Sequence, residues 1–265
     1  MKPFERGIYL LPNLMTTIAL FAGFYAVIAG MQGKFEAGAI AIFVAMIFDG
    51  LDGRVARMTN SSSAFGAEYD SLADMVSFGL APALLLYQWA LQDFDKLGWV
   101  VAFIYTAAAA LRLARFNTQV GISDKRYFQG LPSPAAAALL AGLVWMVESN
   151  DVHTGLEPLF ALILTLFAGL MMVSNVRFSS FKDLNLKDKV PFVTLLVVVL
   201  LLVIITIKPA LFLFVIFMVY AISGPVMTIL GLKKSRNLRK KNKKTDSAEP
   251  ASEQSGSHPE NEDKV

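Results

Sequence analysis

The sequence predicts an all-α fold, a polytopic membrane bundle of about eight transmembrane helices in one domain, and three observations carry that expectation. Hydrophobic residues make up 55% of the 265-residue chain against 17% charged, with a mean hydropathy of +0.54. That balance is too apolar for one water-soluble core, and it excludes soluble and disordered readings of the whole. The apolar residues also fall in blocks of about 20, the length that crosses a bilayer as a helix, with Gly or charged clusters between them. Strand-like alternation over segments of about ten residues, the mark of an outer-membrane barrel, is not seen.

Taken in order, the expected spans are 8–30, 35–57, 69–90, 97–114, 132–148, 156–174, 190–207 and 209–230. The first follows Lys2 and Arg6 as a signal peptide would, but it is long, lacks a small-x-small cleavage site and leads to another span, so it stays as a helix. The second and third are joined by the polar turn MTNSSSAF, Met58 to Phe65. Trp89 and Trp99, near span ends, fit interfacial anchors, and Pro132 and Pro134 fit the first turn of the fifth span. With these spans, 21 of the 24 Lys and Arg fall on one side and only Lys34, Lys96 and Lys208 on the other, which assigns both termini to the cytoplasm. Residues 1–231 form the membrane domain. From 232 to 265 the chain turns basic, then acidic and Ser-rich, and is expected to be a disordered cytoplasmic tail. Its basic half either lies on anionic lipid head groups or serves only as a topology-fixing stop.

Cysteine is absent, which excludes disulfides, thiolate nucleophiles and Cys-based metal sites, and histidine occurs only at His153 and His258. His153, beside Glu148, Asp151 and Glu157, reads as part of a solvated loop. Chemistry must rest on carboxylates, cationic side chains, hydroxyls, amides and added metal. One segment supplies them against the apolar rule. Asp49, Asp52, Gly53 and Ala56 stand at i, i+3, i+4 and i+7, one stripe of a helix; Gly66, Asp70 and Asp74 stand at i, i+4 and i+8, again one stripe. The second span descends to the cytoplasm and the third leaves it, so the turn brings both stripes to one depth. Four carboxylates can converge there, with small residues leaving room for a ligand.

Ionisable groups at such depth mark function. Four negative charges in a low dielectric repel one another unless cations intervene, and two divalent ions, Mg²⁺ or Mn²⁺ for an all-oxygen set, would balance them. Paired metals that bridge phosphate oxygens suit displacement at phosphorus. A cation-transport site is the rival reading from a different class.

The spacing Asp49-x₂-Asp52-Gly53-x₂-Ala56-Arg57-x₈-Gly66-x₃-Asp70-x₃-Asp74 resembles the signature of the CDP-alcohol phosphatidyltransferase family at all eight constrained positions. DMVSFGLAPALLLY (74–87), LRLARFN (111–117), FQGLPSPAAAA (128–138) and MVSNVRF (172–178) are similar to its integral-membrane branch that transfers to serine, the CDP-diacylglycerol–serine O-phosphatidyltransferases. The likeness runs from Leu11 to about Arg177. It implies that CDP-diacylglycerol and L-serine give phosphatidylserine and CMP at a cytoplasm-facing site of the inner membrane. Asp49, Asp52, Asp70 and Asp74 would be metal ligands, Asp74 also the general base; with no Cys or His in the region, a carboxylate is also the plausible proton acceptor on chemical grounds. Pro12, Asn13, Gly53, Ala56, Arg57, Ser63 and Gly66 would take the CDP-lipid.

Direct attack is what the likeness suggests, while the residues alone leave a phosphatidyl-aspartate open. For the serine carboxylate Arg115 comes first and Arg112 second, with Asn117 and Ser133 nearby; both arginines could instead be orientation charges. The likeness also implies a homodimer. Another acceptor alcohol (glycerol phosphate, inositol phosphate or choline) is the alternative within the family. The partner beyond substrates is the lipid bilayer; no nucleic acid is expected.

Overall fold

The structure, a computed structural model, describes residues 3–59, 61, 63–119, 127–151, 154–179 and 206–246. Its helices are α1 (Pro3–Met31), α2 (Phe35–Met58), α3 (Ala64–Asp74), α4 (Ala81–Trp89), α5 (Asp95–Gln119), α6 (Ser133–Asn150), α7 (Glu157–Val173) and α8 (Pro209–Asp246). A π turn, Met75–Leu80, joins α3 to α4, and a 3₁₀ turn, Leu91–Phe94, precedes α5. Two compact units divide the chain, Met1–Pro225 and Val226–Val265, and the first holds the bundle.

Small residues set how closely the helices approach. α1 ends in a Schellman turn: Gly33, at φ 72°, donates to Gly30, and Lys34 donates to the Ala29 carbonyl at 2.8 Å, which sends α2 back along α1. Along that hairpin Gly38 lies against Ala26 and Ala29, and Ala22, Ala39 and Ala45 are buried as well. A Cβ at Gly38 would come within 3.1 Å of the Ala26 carbonyl. Such small-residue contacts are what membrane helices use where apolar burial from water is not the driving force. α6 is the most enclosed helix, with an unbroken buried run from Ala135 to Val144. α5 and α7 meet where Gly169 lies against the Tyr105 backbone.

Among the described residues, Leu11–Met31, Leu91–Thr118 and Pro209–Ile229 are long and apolar enough to cross a membrane, and Glu157–Val173 is a shorter apolar helix. The chain is a helical membrane protein. The second expected span coincides with α2, whose carboxylates and arginines lower its hydropathy, and the third is divided among α3, the π turn and α4. Of the span expected at 190–207, residues up to 205 lie outside the described ones, as does His153.

The fold is all-helical in class, as the sequence predicts, with one short addition: β1 (Tyr127–Gln129) and β2 (Arg177–Ser179) pair antiparallel, Phe128 opposite Phe178. These aromatic, β-prone triplets sit in linkers and exchange the backbone bonds that the helices leave unmade. Of the expected tail, the described part belongs to α8, which continues through the basic run to Asp246. Lys, Arg and Leu are good helix formers, and no Pro or Gly interrupts them after Gly231.

The β-pair continues into a turn that fixes the start of α6. Gly130 N–H donates to Val176 at 2.9 Å and Leu131 N–H to Met171 at 2.9 Å, with Gly130 at φ 79°. A Cβ there would collide with the Met172 carbonyl. Gly130→Ala should therefore lose about 2 kcal/mol or more from left-handed strain and that clash, read as a lower melting midpoint in detergent. A variant melting with the parent would show that the turn is dispensable.

Candidate active site

The N-terminus of α3 is capped by Ser63, whose Oγ accepts the Gly66 N–H at 3.0 Å, and this cap starts the helix just after the polar turn. α2 and α3 both pack on α1, and their carboxylates meet between them. Asp49 lies against Asp74, and Asp52 against Asp70. Asp49, Asp70 and Asp74 each present an oxygen within 4.8 Å of the others, the group of that kind found among the described residues. The expected quartet thus divides into three and one. Asp52, only 5% exposed, turns to α1, where Thr16 Oγ1 donates to its Oδ2 at 2.7 Å. Thr16 also reaches the Pro12 carbonyl at 3.1 Å.

The trio fits a divalent cation by its donor chemistry. All ligands are carboxylate oxygens, which suit hard cations. Asp70 Oδ1 is enclosed and has no hydrogen-bond partner, as a metal-ligating oxygen would be before loading.

Beside the trio opens a cavity of about 190 Å³, lined by Pro12, Asn13, Thr16, Asp52, Gly53, Ala56, Arg57, Ser61, Ser63, Gly66, Ala67 and Asp70. All seven residues expected at the nucleotide-lipid site lie on its wall. A Cβ at Gly53 would meet nothing nearer than Arg57 Nη1 at 3.6 Å, so the missing side chain leaves open space for a ligand. At Gly66 a Cβ would come 3.3 Å from Asn13 Oδ1, so this glycine lets α3 approach α1. Thr17 Oγ1 and Tyr69 OH, 3.0 Å apart, tie the same two helices. Thr16, Ser61 and Ala67 are wall residues that sequence reasoning missed. Thr16 stands one turn after Pro12 on the same face of α1, a signal that could have found it.

The four residues expected around serine separate into two places. Arg112 Nη1 donates to Ser133 Oγ at 2.7 Å, its charge bears on Asp74, and its Nε is enclosed without a partner. Arg115 and Asn117, further along α5, turn elsewhere: Arg115 Nη1 to Asn175 Oδ1 at 3.5 Å, and Asn117 Nδ2 to Ser71 Oγ at 3.0 Å.

The sequence model of the CDP-alcohol phosphatidyltransferase family matches residues 9–178, which span every carboxylate and cavity residue above. The chain belongs to the CDP-alcohol phosphatidyltransferase family. Within it, the chain is 40% identical over 183 residues to the CDP-diacylglycerol–serine O-phosphatidyltransferase of Helicobacter pylori, covering 68% of this chain and 77% of the relative. It is 36% identical over 179 residues to the enzyme of the same name in Methanocaldococcus jannaschii, covering 67% and 78%. With the archaetidylserine synthase of Methanothermobacter thermautotrophicus it shares 33% over 171 residues, 63% and 69%. As a CDP-alcohol phosphatidyltransferase the chain is an enzyme, and the α2–α3 seam is where its family signature lies.

Asp70→Asn should weaken Mn²⁺ binding, followed by electron paramagnetic resonance, by about tenfold or more, since a charged ligand to the ion is lost. Thr16→Val should act more mildly, because it leaves all the carboxylates in place. Equal Mn²⁺ affinity in Asp70→Asn and the parent would place the cation elsewhere.

Proposed function

We propose that this chain is a CDP-diacylglycerol–serine O-phosphatidyltransferase of the cytoplasmic membrane, moving the phosphatidyl group from CDP-diacylglycerol to the hydroxyl of L-serine with release of CMP. One observation carries the reading. A carboxylate trio stands beside a cavity walled by the family's nucleotide-lipid positions, and the charge of Arg112 bears on Asp74. The relatives named for serine transfer support it. Eight spans with both termini and the site on the cytoplasmic side, a lateral route for the acyl chains, and a homodimer belong to the same reading.

Asp49, Asp70 and Asp74 would hold Mg²⁺ or Mn²⁺, with Asp52 available to a second ion from its place against Asp70. When bound, the metal supplies positive charge to the diphosphate oxygens and to the CMP that leaves. Arg57, on the cavity wall, donates paired hydrogen bonds to phosphate. Asn13 and Thr16 close the α1 side.

A serine hydroxyl is a poor nucleophile until its proton is removed. Asp74, one turn beyond the cavity's Asp70, takes that proton on a carboxylate oxygen as the serine Oγ–phosphorus bond forms and the bond from phosphorus to the CMP oxygen breaks. Arg112 holds the acceptor: its Nη1 is fixed by Ser133, and its unpartnered Nε–H is offered to the serine carboxylate. A buried donor left unmade is unfavourable by about 1–3 kcal/mol, which gives the acceptor's anion a place to bind. The order of the two arginines is therefore the reverse of the sequence expectation, with Arg115 engaged by Asn175.

Purified protein should form CMP from CDP-diacylglycerol with L-serine, lose this with EDTA, and regain it with Mg²⁺ or Mn²⁺. Release with glycerol phosphate, inositol phosphate or choline in place of serine would move the assignment within the family. Arg112→Ala should raise the KM for serine by about 10- to 100-fold with little change for the lipid, and Arg115→Ala by no more than about threefold. The opposite ranking would return the carboxylate to Arg115.

A further inference from the structure

The helix that carries Asp70 and Asp74 does not continue as an α-helix. Directly after Asp74 it widens into the π turn, where the Ala81 N–H reaches back five residues to the Val76 carbonyl, and it regains α geometry in α4. A π turn takes up one residue more than an α turn, so it rotates the two flanking helices relative to one another by about 100°. Both flanks are anchored independently. α3 is tied to α1 through Tyr69 and Thr17 and to α5 through Ser71 and Asn117, while α4 is set in the core by the fully buried Leu85 and Leu86. The extra residue reconciles the two sets of anchors, and Asp74 is the residue next to it.

Two buried hydroxyls hold this turn. Tyr105 of α5, fully buried, donates to the Phe78 carbonyl at 3.0 Å. That carbonyl has no α-helical donor, because the residue four positions on is Pro82. Ser77 donates to the Ala19 carbonyl of α1 at 3.1 Å. Its approach depends on Gly23, where a Cβ would stand 2.5 Å from Ser77 Oγ and 2.7 Å from its Cα. Neither hydroxyl has a part in the proton transfer or in the grip on the nucleotide.

We propose that the π turn sets the register of the active site, and that Tyr105 and Ser77 are positioning residues whose hydroxyls keep the turn wide and Asp74 aimed at Asp49 and Asp70. Loss of either lets the turn slide toward α geometry. The far part of α3 is held by its own bonds, so the displacement falls on Asp74. This rests on the reading of Asp74 as metal ligand and base.

Tyr105→Phe and Ser77→Ala each delete one oxygen and can be compared with the parent as purified full-length protein in detergent. Both should lower kcat by about tenfold or more while the KM for CDP-diacylglycerol stays within about twofold, because the cavity wall is held separately. Mn²⁺ binding by electron paramagnetic resonance should weaken in step with kcat. Unchanged kcat and Mn²⁺ affinity in both variants would overturn the proposal. So would a uniform loss in kcat, lipid KM and metal-free melting, which marks a merely structural role. If Tyr105→Phe does not fold, Ser77→Ala decides alone. A parent protein that binds Mn²⁺ weakly and releases no CMP would instead sink the underlying reading, a result separable from the behaviour of the variants.

Discussion

Mutual repulsion among Asp49, Asp70 and Asp74 is the constraint on which the rest of the structure depends. Carboxylate oxygens within 4.8 Å of one another, all ionised, repel by about 3 kcal/mol per pair at the effective dielectric of a protein site. Three such pairs approach the whole stability of an ordinary domain. No sequence would keep that arrangement for packing alone, since apolar residues of similar volume would do better. The helices must therefore be built to present the trio to a cation and to hold it there against its own charge. Helix α1 contributes by donating the Thr16 hydroxyl to Asp52, the fourth carboxylate, which fixes that side chain where its charge also bears on Asp70.

The scaffold meets this demand with small residues and with irregular backbone placed where it is enclosed by protein. Ala and Gly along α1 and α2 bring the two backbones close, and Gly66 does the same for α1 and α3. Irregular backbone inside a membrane protein survives only where other groups satisfy it. The π turn obeys that rule through Tyr105 and Ser77, and the linkers around β1 and β2 obey it through their own ladder and through Gly130 and Leu131. Two of these segments border residues proposed for the site: Asp74 by the π turn, Ser133 by the β-linker.

Much of this was legible in the sequence, and the parts that were not share a cause. Asp49, Asp52 and Gly53, then Gly66, Asp70 and Asp74, show their faces through spacing, because one α-helix converts intervals of three and four into a stripe. The two helices are neighbours because a short turn joins them. Spacing along a single helix is silent on contacts made across sequence, however. Thr16 meets Asp52 across 36 positions, and Tyr105 meets Phe78 across 27. The contact that distinguishes Arg112 from Arg115 was equally out of reach, since the two lie three residues apart on α5 and only the position of α6 sets one against Ser133. The β-pair and the π turn were missed for a related reason: each is a local departure whose stability comes from neighbours distant in sequence.

The number of cations near Asp74 bears on which acceptor alcohol the site suits. An acceptor that carries its own phosphate brings up to two negative charges and calls for several cationic donors, as phosphate sites generally do. At Asp74 the structure offers the guanidinium of Arg112, with one nitrogen committed to Ser133, while Arg115 looks toward Asn175. One cationic side chain, rather than several, matches a single carboxylate better than a phosphate. The charge of the same guanidinium bears on the carboxylate proposed to take the hydroxyl proton, so the proposed binding of the acceptor's anion and activation of its hydroxyl fall in one region. An amino acid with a hydroxyl on its β-carbon spans that interval with few rotatable bonds, which favours serine over longer alcohols by limiting the entropy lost on binding.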